Sequence, residues 1–344
     1  MELTQKPGRT TTINHQEYLF FSGYSYLGLG ADANFLNLIK EGIDLYGVVY
    51  PSSRISNTPL DLYLKFETAL AQLTNTAASV VFSSGFLSAR TAVEVVAQQM
   101  NVYYQYPTHP ASAHYTKAIQ IEKGKNWSDF LNEREAANEL VFALVADSIN
   151  PTPGTITDFS FLNNLPSKFQ LTLLIDDSHG IGWMGTGGQG IISTLHLPPH
   201  IDLLLNFSLS KAYHLNAGAI CGSLKWIELA RQHVNFTTST PPMPALAYAW
   251  LGASSIFEAQ RNLLIQNIHY LQNLFEDSTF ATNEGTPVFV IHKQSVAAYL
   301  LQNNVFISSF GYPHPTNNPI NRVVLNALHT KSDLEKLAQF IEQY

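Results

Sequence analysis

Two runs of apolar residues that end abruptly in polar side chains stand out along the chain. The first lies within residues 171–182 and ends in DDSHG, and the second begins at residue 203 and ends in SLSK. Short runs of Val, Ile and Leu with polar ends are typical of strands buried on both faces of an α/β sheet. Ligands of such sheets bind where the strands end. We therefore expect Asp176, His179 and Lys211 to lie close together.

The same alternation of apolar and polar positions predicts most of the other elements. Residues 78–99 are typical of a strand, a Ser-Ser-Gly-Phe turn and a helix, and a further strand is predicted to end at Asp147. Ser332 and Glu335 match the capping-box pattern at the start of a last helix. Further helices are predicted over residues 31–46, 61–73, 226–234 and 245–275, and strands over 287–291, 305–310 and 320–329.

Composition narrows the class of protein. The chain has 344 residues, 45% of them hydrophobic, which is enough for a large core in two lobes. A net charge of −7 argues against nucleic-acid binding. The single cysteine, Cys221, excludes an internal disulfide and favours a cytoplasmic protein. We expect no membrane span, because no apolar stretch reaches about 18 residues, and no metal site.

An amine, a carboxylate and an imidazole at neighbouring strand ends are the groups that pyridoxal phosphate needs. Its aldehyde forms an imine with a lysine, and its ring accepts electrons only while the ring nitrogen stays protonated. Each residue alone is a weak signal, because a lone Lys is usually a solvated charge and a lone Asp often caps a helix. The order and spacing of Asp176, His179 and Lys211 make the combination informative.

The strings DDSHG-IG and S-LSKA resemble the fold-type I pyridoxal-phosphate enzymes, and most closely their α-oxoamine synthase family. That family includes 8-amino-7-oxononanoate synthase, 2-amino-3-ketobutyrate ligase and serine palmitoyltransferase. The resemblance covers about residues 18–344 and implies an α/β fold. The expected fold consists of a large α/β/α domain with a mostly parallel sheet and a smaller α+β C-terminal domain. The implied division is an N-terminal segment over residues 1–45, a cofactor domain over 46–236 and a C-terminal domain over 237–344.

The resemblance assigns roles around the cofactor. Lys211 would form the imine and later remove the Cα proton of the substrate, Asp176 would hold the proton of the ring nitrogen, and His179 would bond the ring oxygen. Ser208 would be a further contact to the cofactor. These assignments follow the family's motif residue by residue.

Two other strings extend this resemblance. The helix start at Ser84, Gly85 and Phe86 resembles the family's phosphate-binding turn, and free N–H groups at a helix start bind anions in general. His109, in the string HPAS, resembles the catalytic histidine that stacks on the ring. His114 is the competing choice, and the sequence leaves the two open.

The substrate side resembles the family less closely. The string YLGL matches, but Tyr24 stands where the family has Asn, followed by Ser25 as a candidate substrate contact. Arg54 matches a loop that lies near the partner's site in family dimers, although residues 49–52 lack the family's glycines. Arg322 aligns with the family's carboxylate clamp, and an Arg inside an apolar strand is costly unless it is paired.

The resemblance implies a homodimeric, cytoplasmic transferase with shared active sites. It would condense alanine, glycine or serine with an acyl thioester, carried by CoA or acyl carrier protein, and release CO2. The nearest likeness, to 8-amino-7-oxononanoate synthase, implies alanine, a pimeloyl thioester and biotin biosynthesis. The alternatives are another pyridoxal-phosphate enzyme, such as an aminotransferase or aldolase, and a low-activity cofactor-binding partner subunit. The sequence does not decide the amino acid or the acyl donor.

Overall fold

A computed structural model describes residues 2–105, 108–113, 118–311 and 316–344. The strands are β1 (Thr10–Ile13), β2 (Gln16–Phe21), β3 (Ala78–Phe82), β4 (Val102–Tyr104), β5 (Ala118–Gln120), β6 (Val141–Asp147), β7 (Ile149–Asn150), β8 (Thr155–Ile156), β9 (Gln170–Asp176), β10 (Ile201–Ser208), β11 (Gly218–Gly222), β12 (Ala281–Thr282), β13 (Val288–Ile291), β14 (Val305–Phe310) and β15 (Ile320–Val324). The helices are α1 (Ala33–Tyr46), α2 (Asp61–Leu73), α3 (Gly85–Ala97), α4 (Pro110–Ala113), α5 (Trp127–Ala136), α6 (Leu224–Gln232), α7 (Val234–Thr238), α8 (Pro244–Gly252), α9 (Ser254–Leu274), α10 (Val296–Gln302) and α11 (Lys331–Gln343).

A seven-stranded sheet in the order β3-β11-β10-β9-β6-β4-β5 forms the centre of the molecule. β11 runs antiparallel to both of its neighbours, and the remaining adjacent pairs are parallel. The carboxyl ends of β3, β10, β9 and β6 therefore lie at one edge of the sheet. This mostly parallel sheet confirms the predicted α/β class.

Side chains of the central strands alternate between two apolar cores. On β9, Leu173 and Ile175 belong to the core shared with α2, α8 and α9, whereas Leu174 faces the core formed with α3 and α6. This is the period of two expected of a strand covered on both faces. The site at the sheet edge thus rests on strands that are packed on both sides.

A second sheet, in the order β1-β2-β14-β15-β13-β12, joins the two ends of the chain. β2 pairs in parallel with β14, with Leu19 opposite Val305. The N-terminal strands thus belong to the same sheet as the C-terminal strands. The division at residues 45 and 236 stays a prediction.

Two of the predicted elements differ clearly from the structure. The helix predicted over residues 245–275 is two helices, because the chain leaves helical geometry at Ala253 (φ −106°, ψ 15°). Ala253 directly follows Gly252, a residue type that disfavours a helix. The strand predicted over residues 320–329 ends at Val324. Beyond it, the Ala327 N–H donates to the Tyr26 carbonyl at 2.9 Å, so the backbone leaves the sheet.

The capping box predicted at Ser332 was wrong. The N-cap of α11 is Thr330, whose hydroxyl accepts from the Asp333 N–H at 3.3 Å, while the Asp333 carboxylate accepts from the Thr330 N–H at 2.8 Å. Arg9 holds the same carboxylate at 2.7 Å. The buried face predicted for the helix is confirmed: Leu334, Leu337, Ala338 and Ile341. No helix in the described part of the chain is both long and apolar enough to cross a membrane.

We predict that Thr330→Ala lowers the free energy of unfolding by about 0.5–2 kcal/mol, the usual cost of losing an N-cap. Ser332→Ala is the matched control, because Ser332 is exposed and lies outside the cap. It should change stability by less than about 0.5 kcal/mol. Urea unfolding of both variants measures the difference. Equal losses would place the cap elsewhere.

Candidate active site

The strand ends form a continuous row of polar groups. Asp176 at the end of β9 lies opposite Asp147 of β6 on one side and Asn206 of β10 on the other. Beyond Asn206, Ser208 lies opposite Gly218 of β11. The predicted meeting of residues from separate strand ends is therefore a consequence of register.

Lys211 lies just beyond this row, within the electrostatic influence of three carboxylates. Burial lowers the pKa of its amine, and the charges of Asp176, Asp147 and Asp177 partly oppose that shift. An amine that is moved into a poorly solvated site loses its preference for the charged form. Lys211 is therefore closer to neutral than a surface lysine.

Asp176 is fixed by hydrogen bonds at both oxygens. Its Oδ1 accepts from the Ser178 N–H at 3.0 Å, and its Oδ2 accepts from Asn206 Nδ2 at 3.2 Å. The side chain is buried. These donors hold the carboxylate in one orientation at the edge of the sheet.

Asp147, beside Asp176, is the most perturbed carboxyl of the row. Burial raises its pKa to about 8, and the neighbouring Asp176 adds to the shift. Its Oδ1 accepts from the His109 N–H at 3.2 Å. Two like charges on adjacent strands disfavour double ionisation, so Asp147 carries a proton near neutral pH and anchors the start of the His109 segment.

Asp177, the next residue along, is held by a loop backbone. Its Oδ2 accepts from the Ile191 N–H at 2.9 Å, and burial raises its pKa to about 7. A Cβ on either Gly180 or Gly190 would collide with its carboxylate. Its contacts thus link the β9 end to the loop before residue 191.

His179 is buried between two tyrosines. Its Nδ1 lies 2.8 Å from the Tyr26 hydroxyl, and its ring meets the Tyr24 ring edge-on at a centroid distance of 4.8 Å. Burial and the charge of Lys211 hold the imidazole pKa well below its usual value. Burial likewise raises the pKa of Tyr26 well above its usual value. Both groups are neutral near pH 7.

The start of α3 packs tightly against the ends of β10 and β11. Ser84 caps the helix, and its hydroxyl accepts from the Leu87 N–H at 3.2 Å. A Cβ on Gly85 would collide with Ser208, and one on Gly218 would collide with the Ser84 carbonyl. Glycine at both positions brings the helix N-terminus against Ser208.

Arg322 reaches the same region from the second sheet. Its Nη1 donates to the Tyr24 hydroxyl at 3.0 Å and to the Pro151 carbonyl at 3.1 Å, and its guanidinium lies 4.7 Å from the Phe310 ring centroid. The residue is 2% exposed. Its Nε has no acceptor within the described part of the chain. The positive charge is thus held in place without a carboxylate partner there.

A cavity of about 380 Å³ opens over Lys211. Besides Lys211, the polar side chains that line it include Tyr24, Ser25, Ser210 and His214. Ser25, predicted from sequence, therefore lines the same cavity as Lys211. His214 was missed, although its position three residues after Lys211 was a signal that could have found it.

Two predicted site residues differ from expectation: Arg54 lies outside the cavity, and His109 is exposed to solvent. Arg54 does not line this cavity: it forms a buried ion pair with Glu67 at 2.9 Å and lies 4.4 Å from the Tyr63 ring centroid. His109 is exposed, and its Nδ1 accepts from the Ala111 N–H at 3.2 Å. His114, the competing choice for the stacking role, lies outside the described residues.

Sequence reasoning also missed the groups that orient the predicted residues. Tyr26 contacts His179, Asn206 contacts Asp176, and the Ser178 hydroxyl accepts from the Ser208 N–H at 2.8 Å. Asn206 had a readable signal, because it interrupts the apolar run over residues 203–207. Among the described residues, no cluster of His, Cys, Asp and Glu could hold a metal ion.

Comparison with known proteins agrees with this geometry. The family described as Aminotransferase class I and II matches residues 18–341. The chain belongs to this family. The 8-amino-7-oxononanoate synthase of Fervidobacterium nodosum is 26% identical to it, over 97% of this chain and 90% of the relative. The 8-amino-7-oxononanoate synthase 1 of Bacillus subtilis is 24% identical, over 99% and 92%.

Two solved structures share the fold. A serine palmitoyltransferase from S. paucimobilis superposes with a TM-score of 0.85 at 17% identity, covering 99% of this chain and 91% of that chain. An 8-amino-7-oxononanoate synthase from Francisella tularensis gives a TM-score of 0.73 at 19% identity, covering 95% and 97%. These likenesses confirm the fold-type I architecture expected from the sequence.

We predict that Asp147 makes stability fall with rising pH. Its carboxyl ionises near about pH 4 in the unfolded chain but near about pH 8 in the fold. The folded state therefore binds the extra proton between these values, and that stabilisation is lost as the pH rises. Asp147→Asn, neutral in both states, should lose this part of the pH dependence.

Urea unfolding of the cofactor-free protein between about pH 5 and about pH 9 tests this prediction. Asp44→Asn, at an exposed carboxylate of α1, is the control and should follow the wild-type profile. Parallel profiles for wild type and Asp147→Asn would contradict the assignment.

Proposed function

We propose that the protein is a pyridoxal-phosphate-dependent acyltransferase that condenses a small amino acid with an acyl thioester and releases CO2. The observation that carries this proposal is a half-buried lysine near a fixed carboxylate, Asp176, at the carboxyl edge of the sheet. The names of its relatives support the reaction class. The proposed substrates are alanine and a pimeloyl thioester, which would place the enzyme in biotin biosynthesis.

The residues present fit the cofactor chemically. Lys211 supplies the amine for its aldehyde, and Asp176 supplies a carboxylate for its ring nitrogen. Ser208 and the α3 start at Ser84 supply hydroxyl and N–H donors for its phosphate. When bound, pyridoxal phosphate withdraws electrons from the substrate Cα.

His179 is suited to donate a hydrogen bond to the cofactor. Tyr26 keeps its proton because burial raises its pKa, and we propose that its O–H donates to Nδ1 of the neutral imidazole. The imidazole proton then resides on Nε2 and is available to a ring oxygen. The Tyr26 contact thus fixes the tautomer of His179.

Lys211 is suited to move the substrate proton. Burial lowers the pKa of its amine, so the neutral Nζ that takes the Cα proton forms more readily than in a surface lysine. Arg322 supplies the charge for the α-carboxylate. His109, anchored to Asp147, is proposed to lie over the ring of the cofactor.

The protein is also proposed to act as a cytoplasmic homodimer. Residues 45–55 expose four large apolar side chains, which a second copy would cover: Leu45, Val48, Val49 and Ile55. C2 dimers are the commonest assembly of soluble proteins. In this arrangement the segment that carries Ser53 and Arg54 approaches the partner's site.

We predict that borohydride treatment of the cofactor-loaded protein leaves a covalent adduct on Lys211, located by peptide mass spectrometry. Lys211→Ala should give none. Asp176→Asn should keep the fold and the adduct but lose most of the release of free thiol from acyl thioesters, because an amide cannot hold the ring proton by charge. Asp177→Asn is the comparison, since Asp177 bonds the Ile191 backbone. An adduct at another lysine would overturn the assignment.

We predict that Arg322→Ala weakens amino-acid binding roughly tenfold to a hundredfold, the usual range for a charge-assisted hydrogen-bonded pair. Titrating the cofactor absorbance with alanine, glycine and serine measures the loss and ranks the substrates. The Lys211 adduct should be unaffected. Unchanged binding of all three amino acids would show that Arg322 has only a structural role.

We predict a dimer in sedimentation equilibrium at micromolar concentration. Val49→Asp should shift the equilibrium toward monomer, because a charge would be buried in the interface. Leu224→Asp is the control, at an equally exposed apolar side chain outside residues 45–55. A fully active wild-type monomer would exclude a shared site.

A further inference from the structure

Tyr24 links the two sheets at the amino-acid end of the cavity. Its hydroxyl accepts from Arg322 Nη1 at 3.0 Å, and its ring meets His179 edge-on at a centroid distance of 4.8 Å and an interplanar angle of 85°. It lines the same cavity as Lys211. A single phenol therefore touches the candidate carboxylate-binding residue and a candidate cofactor contact.

The hydroxyl of Tyr24 has a donor that the protein does not use. In its one hydrogen bond given by the described residues, the phenol oxygen accepts from Arg322. A phenol that accepts from a cation keeps its own O–H for another acceptor, and the cation polarises it into a stronger donor. Tyr24 lines the same cavity as Lys211, so a molecule bound there could supply the acceptor for this proton.

Arg322 lacks a negatively charged partner among the described residues. Its guanidinium is buried, its Nη1 is held by the two neutral oxygens of Tyr24 and Pro151, and its Nε lacks an acceptor among the described residues. A buried cation without an anion is costly. An anion with two oxygens would satisfy the charge of Arg322 and the free donor of Tyr24 together.

We propose that Tyr24 is a specificity-determining residue that donates its O–H to one oxygen of the substrate's α-carboxylate, while Arg322 binds the same group. The inference rests on the proposed function, because it assumes that an α-amino acid occupies the cavity beside Lys211. It assigns to this chain a phenol–guanidinium pair for carboxylate recognition. Selectivity for amino acids over simple amines then depends on the phenol as well as on the arginine.

Tyr24→Phe tests the proposal, because it removes the hydroxyl and keeps the ring. The holoenzyme is titrated with alanine and with ethylamine, which is alanine without its carboxylate, and binding is followed by the cofactor absorbance. We expect the dissociation constant for alanine to rise about tenfold or more, which is the usual effect of losing a hydrogen bond to a charged group. Ethylamine binding should be unchanged.

Two controls give each result a single meaning. Tyr18→Phe, at a half-buried tyrosine of β2 outside the cavity, should bind alanine like wild type. Tyr24→Phe in an Arg322→Ala background separates direct contact from orientation of the arginine. A further loss of alanine binding supports direct donation, and no further loss overturns it.

Failure of the inference is distinguishable from failure of the proposed function. If Tyr24→Phe binds alanine like wild type while Arg322→Ala does not, the phenol has no role in carboxylate recognition and the proposed reaction is untouched. An equal loss for alanine and ethylamine also overturns the inference, because the effect would not depend on the carboxylate. If wild type binds no amino acid at all, the proposed function fails and the inference fails with it.

Discussion

The removal of charged groups from water at the carboxyl edge of the central sheet is the constraint on which the site depends. Asp147 and Lys211 lie near the same carboxylate, Asp176, so burial and neighbouring charges together shift the pKa of both side chains. In water, the same groups would titrate independently at ordinary values. The packed strands on both faces of the sheet therefore do more than support the residues, since they determine which of them carry charge.

Small residues make this density of polar groups possible. Gly85 and Gly218 allow the start of α3 to lie against Ser208, and Gly180 and Gly190 leave room for the Asp177 carboxylate. A methyl group at any of these positions would require backbone or a buried carboxylate to move. The arrangement of the site thus depends partly on glycines, whose lack of a side chain allows close approach. Polar side chains next to them hydrogen-bond the backbone, as Asp177 and Ser178 do.

Much of this could be predicted from the sequence, for identifiable reasons. The strands ending in Asp176 and before Lys211 were predictable because their apolar runs end sharply, and the fold followed from their resemblance to known enzymes. The Tyr26–His179 and Tyr24–Arg322 contacts were not predictable, because they join residues that are 153 and 298 positions apart in the sequence. The cap at Thr330 was missed because Ser332 and Glu335 match the same pattern two residues later. Arg54 was expected near a substrate, and its pairing with Glu67 depends on a helix whose position the sequence does not give.

The pairing of β2 with β14 has a consequence for how the protein is made. During synthesis the β1–β2 hairpin leaves the ribosome long before β14 is made. One edge of β2 therefore stays unpaired while the central sheet is translated. Contacts between such distant parts of a chain form slowly, and an unpaired edge invites association with other chains. Tyr24 meets Arg322 only after this closing step. The contact between Tyr24 and Arg322 therefore forms late, and a chain truncated between β11 and β15 would keep every strand of the central sheet but lack Arg322.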